Sequence, residues 1–345
     1  MIFTIKKEYK LKGERNISAR KPLIYNNSLY VILCYDKKGF TESRLQCLDL
    51  ETFELKWEYT HNHVLNNLEI SLNDKLLCGC MDGEVKCFNP SDGEIVWTFK
   101  TEESNIGAIS NIYNDKIIFS GVQARGKSTW CLDVNTGKLL WQIENKGHAY
   151  IPLIAENKGF FCIGNNIYSI SLRDGSLNWE QNEPDTYIFN PKKNGDKIVV
   201  GGHGKVNIYD FDSGELILSI ETGIRSSIRE ICFDSDNNLY FGDEEGNFYC
   251  YHFQFIKKLL GKGKFVAEKK WSYKAKGGIQ GAAALMNESI YFITDGEELI
   301  SLNIINGELN WDFNTKGKAG ISGVSIVNDE IFIACGNGYV YRLKK

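Results

Sequence analysis

The sequence predicts an all-β chain of 345 residues folded as a single β-propeller of eight four-stranded blades. Three observations carry that reading. A motif ending in Trp returns about every forty residues, each copy alternates like a strand–turn–strand hairpin, and no segment has the apolar period of a helix.

The hairpin is the clearest element. CLDLETFELKW (47–57), CFNPSDGEIVW (87–97), CLDVNTGKLLW (131–141), SISLRDGSLNW (169–179), IYDFDSGELIL (208–218) and SLNIINGELNW (301–311) share one length and one pattern. A seventh copy runs from Cys250 to Trp271 with extra residues inside it. Alternating apolar residues such as Val85 and Cys87 mark a half-buried strand. The polar turn ends in Gly93, Gly137, Gly175, Gly214 or Gly307, where a residue at positive φ is needed and a Cβ would clash. Upstream of each hairpin lies an apolar strand, as in KLLCGC (75–80), KIIFSG (116–121), KIVVGG (197–202) and NLYFGD (238–243). Before that comes a strand of small residues, such as GIQGAAALM (278–286) or AGISGVSIV (319–327). Four antiparallel strands per repeat make a blade.

The two ends of the chain complete each other. After Trp311 three more strands follow, and residues 5–9, IKKEY, match the Trp-bearing pattern LKWEY (55–59). Pairing residues 1–10 with the blade formed by 316–345 is expected to close the ring, cover its sheet edges, and make residues 1–345 one domain.

Composition sets bounds on function. A net charge of −4 gives no basic field for nucleic acid, so none is expected as a partner. The opening MIFTIKKEYKLKGER is not a secretory signal, and no stretch approaches a membrane span. A cytoplasmic, monomeric protein with no membrane partner is the expectation. The ten cysteines agree: Cys47, Cys87, Cys131 and Cys250 share one strand position, and Cys78, Cys162 and Cys335 lie in the strand before it. They are expected as free core thiols.

The repeat resembles that of the quinoprotein-dehydrogenase-like propellers, with Cys131, Asp133, Gly137 and Trp141 as the best copy. That family includes cofactor-free scaffold members that assemble outer-membrane proteins. The resemblance spans essentially the whole chain and implies that the repeat Trp residues dock between blades. Phe53 in place of the turn glycine and Leu218 in place of Trp depart from the pattern. The quinone-using members are exported and carry a calcium site, commonly with a disulfide between adjacent cysteines. No adjacent cysteines and no calcium-type carboxylate spacing occur here, so no cofactor is expected.

Other motifs weaken on inspection. GVQARGKS (121–128) matches the phosphate-cradling string, but a blade strand follows where a helix is required. The pairs Cys78/Cys80 and His61/His63 could hold a metal, but neither has a recognised ligand spacing, so none is expected. His203 and His252 read as ordinary satisfied histidines. No catalytic pair can be nominated. Insertions at 35–43, 122–128 and the Lys-rich 253–270 lengthen blades one, three and six. The last, with Lys257, Lys258 and Lys262 among its lysines, reads as a solvated hairpin or a site for an acidic partner.

Two classes of function remain open. The leading one is a protein-binding scaffold without catalytic activity, within which an immunity or assembly role falls; the alternative is an enzyme or small-ligand-binding protein using the central channel. Aligning the repeats places Arg20, His63, Asn67, Asn105, His148, Tyr150, Tyr187, Arg225, Arg229 and Gln280 where the inner segments meet the channel mouth. These polar and aromatic side chains are the expected binding residues.

Overall fold

A computed structural model describes residues 4–10, 16–37, 39–102, 106–121, 128–144, 150–184, 186–256 and 263–344, with side chains from residue 18 onward. The fold is an all-β, eight-bladed propeller of antiparallel blades, with no α-helix among the described residues. Close contacts divide the chain into two compact units. Glu14–Pro191 carries blades one to four, and Met1–Gly13 with Lys192–Lys345 carries blades five to eight.

Blade two shows the plan. Strands Leu65–Ile70, Leu76–Cys80, Glu84–Phe88 and Ile95–Lys100 pair in chain order. Leu76–Cys80 is buried along its whole length. A strand covered on both faces reads as a continuous apolar run, which is why KLLCGC carries no alternation. The outermost strand of blade one, Leu55–His61, instead alternates and turns Trp57 inward.

The turns explain the repeat motif. In blade three the Asp133 N–H donates to Lys138 O at 3.0 Å and the Gly137 N–H to Asp133 O at 2.8 Å, while Asp133 Oδ1 accepts the Thr136 N–H at 2.8 Å. An Asp capping its own turn is a local device that needs no tertiary partner. Gly137 has φ +69°, and a Cβ there would lie 2.5 Å from the Trp97 ring. Trp97 Nε1 in turn donates to Val134 O at 3.0 Å. The same pairing of a repeat Trp with the turn glycine and backbone of the following blade recurs at three further joints. Trp57 pairs with Gly93 and Pro90 O, Trp141 with Gly175 and Leu172 O, and Trp271 with Gly307 and Ile304 O. The docking that the resemblance implies is in place.

The core forms at these joints. Tyr30, Cys47 and Trp57 of blade one pack with Leu76, Cys78 and Phe88 of blade two, and Tyr240, Cys250 and Trp271 of blade six pack with Ile290, Phe292 and Leu302 of blade seven. In the second unit the first strand, Thr4–Lys10, pairs antiparallel with Tyr339–Lys344 and completes blade eight, as expected.

Two expectations need correction. The small-residue segments are mostly not strands: of GIQGAAALM only Ala284–Met286 joins a ladder, and of AGISGVSIV only Ser325–Val327. Their backbones instead lie against one another, since a Cβ on Gly281 would fall 1.4 Å from Ser322 O. The insertion at 35–43 also adds strand, because Ser28–Lys37 and Phe40–Asp49 pair through to Lys37 and Phe40. Likewise the 253–270 insertion prolongs the ladder of blade six to Ile256 and Lys264; Lys257, Lys258 and Lys262 lie outside the described residues.

Candidate functional site

In the unit of blades five to eight, the segment entering blade six gathers the most charge. Its backbone is tied to blade five: the Gly204 N–H donates to Ser226 O at 2.8 Å, the Ile228 N–H donates to Gly202 O at 3.0 Å, and His203 bridges Ser227. A Cβ on Gly201 would lie 2.1 Å from Ile228 O, so the two chains touch backbone to backbone. On that frame Ile228 is buried, while Ile224 and Arg225 are exposed and Arg229 is half-buried. Arg229 Nε donates to Glu244 Oε1 at 2.7 Å, a charge-assisted bond that orients the guanidinium. His203 feels the same groups. Burial first, and then Arg225 and Arg229, push its imidazole below the ordinary value against the pull of Glu244, so it is neutral at physiological pH.

Blade seven repeats the arrangement with an amide in place of the guanidinium. Gln280 Nε2 donates to Asp295 Oδ2 at 3.2 Å, and Asp295 Oδ1 accepts the Gly320 N–H of blade eight at 2.8 Å. Of the expected binding residues, Arg225, Arg229 and Gln280 thus stand on adjacent blades of one unit. His203, which sequence reasoning set aside, joins them.

The other expected residues lie in varied surroundings. Asn67 is a clip: its Nδ2 donates to Ile109 O at 2.8 Å and its Oδ1 accepts the Ile109 N–H at 2.9 Å, tying blade two to blade three. Asn111 makes the same pair of bonds to Ile154 at the next joint. Arg20 is buried, with Nη1 donating to Ser18 Oγ at 3.0 Å. Tyr150 is half-buried, edge-on to Phe189 at 4.9 Å, whereas Tyr187 and His63 are exposed. Asn105, His148 and residues 122–127 of the phosphate-like string lie outside the described residues.

In the unit of blades one to four a second cluster forms where blade one meets blade two. His61 ends the strand Leu55–His61, Cys80 ends Leu76–Cys80, and Asp82 lies in the turn that follows. The turn is set by the Gly83 N–H donating to Cys80 O at 3.2 Å, and it is pinned to the incoming linker by the Met81 N–H donating to Val64 O at 2.9 Å. One donor atom from each of His61, Cys80 and Asp82 lies within 4.8 Å of the other two. Burial would lower the His61 pKa, but the Cys80 sulfur and Asp82 carboxylate outweigh it and hold the imidazole above its ordinary value. The Cys78 thiol and burial push the Cys80 thiol well up, against the opposing effect of His61. Sequence reasoning weighed Cys78/Cys80 and His61/His63 as pairs; the fold takes one member of each and adds Asp82.

Comparison with known proteins follows the fold. Residues 81–313 match the family model described as outer membrane protein assembly factor BamB. No curated protein matches by sequence. Among solved structures, BamB from Moraxella catarrhalis superposes with a TM-score of 0.72 at 15% identity, covering 100% of this chain and 98% of that one. Sqt1 from Saccharomyces cerevisiae gives 0.76 at 10% identity, covering 99% of each. A quinohemoprotein alcohol dehydrogenase from Comamonas testosteroni gives 0.74 at 12% identity, covering 99% of this chain and 76% of that one. At such identities the likeness shows the fold alone.

Proposed function

The chain belongs to the repeat family described as outer membrane protein assembly factor BamB, and on that premise we propose that it is a protein-binding scaffold without catalytic activity. The observation that carries this reading is the surface at 222–230. There an exposed Arg225 and an exposed Ile224 flank the Arg229–Glu244 pair on a backbone held rigid by blade five. Arginine beside an apolar side chain on a fixed frame is the composition of an interface hot spot. The partner that fits is a protein segment presenting a carboxylate next to an apolar residue, since guanidinium binds carboxylate in a directed, two-pronged fashion. In this reading the protein works as a monomer in the cytoplasm. The ten cysteines, none in a disulfide and nine of them buried, support a reducing compartment.

The test is an affinity capture with parent protein beside the double variant Arg225→Glu, Arg229→Gln. A partner identified with the parent should be reduced about tenfold or more with the variant, while the melting temperature moves little, as expected for surface charges. Equal capture of that partner by both proteins would remove the surface from consideration.

A further inference from the structure

We propose that His61, Cys80 and Asp82 form a binding site for one zinc-class divalent cation, clasping blade one to blade two. The three donors are a nitrogen, a sulfur and a carboxylate oxygen within 4.8 Å of one another. Two of them stand without satisfied bonding. His61 Nε2 lies 3.1 Å from Asp82 Oδ2, yet the pair does not meet hydrogen-bond geometry. Asp82 Oδ1 is buried with no hydrogen-bond partner among the described residues. Buried polar atoms of this kind ordinarily find partners, and a shared cation satisfies both at once.

The surroundings match what a bound cation requires. The other ring nitrogen, Nδ1, is 3.2 Å from Tyr59 Oη. With Nδ1 donating to that oxygen, the Nε2 lone pair faces the cluster, the orienting bond that metal-ligating histidines characteristically make. Cys80 is fully buried beside the imidazole and carboxylate, and a cation can take the place of its thiol proton. The Asp82 side chain is 20% exposed, which leaves the solvent side open for a water as fourth ligand. Both ligand-bearing elements are fixed by backbone hydrogen bonds, with Met81 to Val64 joining the two sides.

The donor set also selects the ion. A thiolate and an imidazole with one carboxylate suit zinc and its transition-metal neighbours. Calcium and magnesium demand oxygen ligands and are excluded by the sulfur. One ligand comes from the last strand of blade one and two from the strand and turn of blade two, so binding would stabilise that joint. The role is a clasp, with no reaction assigned to the ion.

The experiment uses the full chain, stripped with chelator and titrated with zinc against a colorimetric competitor, then with cobalt(II) as a spectroscopic probe. The expected result is about one ion per chain, a thiolate-to-cobalt charge-transfer band, and a melting temperature raised by zinc. Cys80→Ser, His61→Gln and Asp82→Asn should each weaken zinc by at least about tenfold, and Cys80→Ser should abolish the charge-transfer band, whereas Cys78→Ser should keep both. Circular dichroism checks that each variant is folded. If Cys80→Ser fails that check, Asp82→Asn, a change of the same size in a half-buried turn, decides. Stoichiometric zinc binding that survives Asp82→Asn undiminished, or no binding by the parent, would overturn the proposal.

Discussion

Gly137 carries two constraints that a single substitution can separate. Its φ of +69° disfavours any Cβ, and the Trp97 ring occupies the place where that Cβ would go. Gly195 has φ +59° with nothing within 4 Å, so it shares only the first constraint. Gly195→Ala should therefore cost about 1 kcal/mol, the penalty of a left-handed backbone. Gly137→Ala should cost about 1–3 kcal/mol more, because the ring must shift against a packed joint. Urea unfolding of the two variants side by side measures the difference, and equal costs would show that Trp97 is not held there. Phe53 marks the limit of the rule. It keeps the same turn at φ +58°, with its N–H donating to Asp49 O at 2.8 Å, and its buried ring offsets strain of about 1–3 kcal/mol. The turn glycines were legible from sequence because positive φ is a local demand. Their contact with Trp was not, since it joins residues 34 to 40 apart.

At the scale of the element, the first strand is the decisive one. Thr4–Lys10 pairs with Tyr339–Lys344 from Thr4 opposite Lys344 to Lys10 opposite Tyr339, with a shift between Ile5 and Lys7. Deleting residues 1–10 would expose the N–H and C=O groups of Tyr339–Lys344 as an open edge. The truncated chain should aggregate and melt lower, measured by light scattering and calorimetry; a monomer with unchanged melting temperature would contradict this closure. The pairing was readable because IKKEY repeats the apolar pattern of LKWEY. The inner strands of blades seven and eight are shorter than their small-residue segments for an equally physical reason. Small residues fit a ladder or a close approach of two backbones, and composition alone does not separate them. In the fold, Gly281 against Ser322 and Gly323 against Ala282 are close approaches.

Across the molecule, the cysteines give the broadest test of the fold. Nine of ten are buried, and burial pushes the Cys87, Cys131, Cys250 and Cys335 thiols up to about 12. The thiolate is the reactive species, so these groups stay protonated and inert well above neutral pH. Thiol labelling at about pH 8 should modify little beyond the half-buried Cys232, and denaturant should release the rest. Rapid native labelling of several thiols would refute the packing. What the sequence determined by itself was the blade, the turn and the repeat, because periodicity, positive φ and Asp capping act within a few residues. What only the tertiary structure decided was which side chains meet: Asn67 with Ile109, Arg229 with Glu244, and His61 with Cys80 and Asp82. All three join separate repeats or separate strand ends, and such contacts are set by how neighbouring backbones approach, which residue type and local pattern do not reveal.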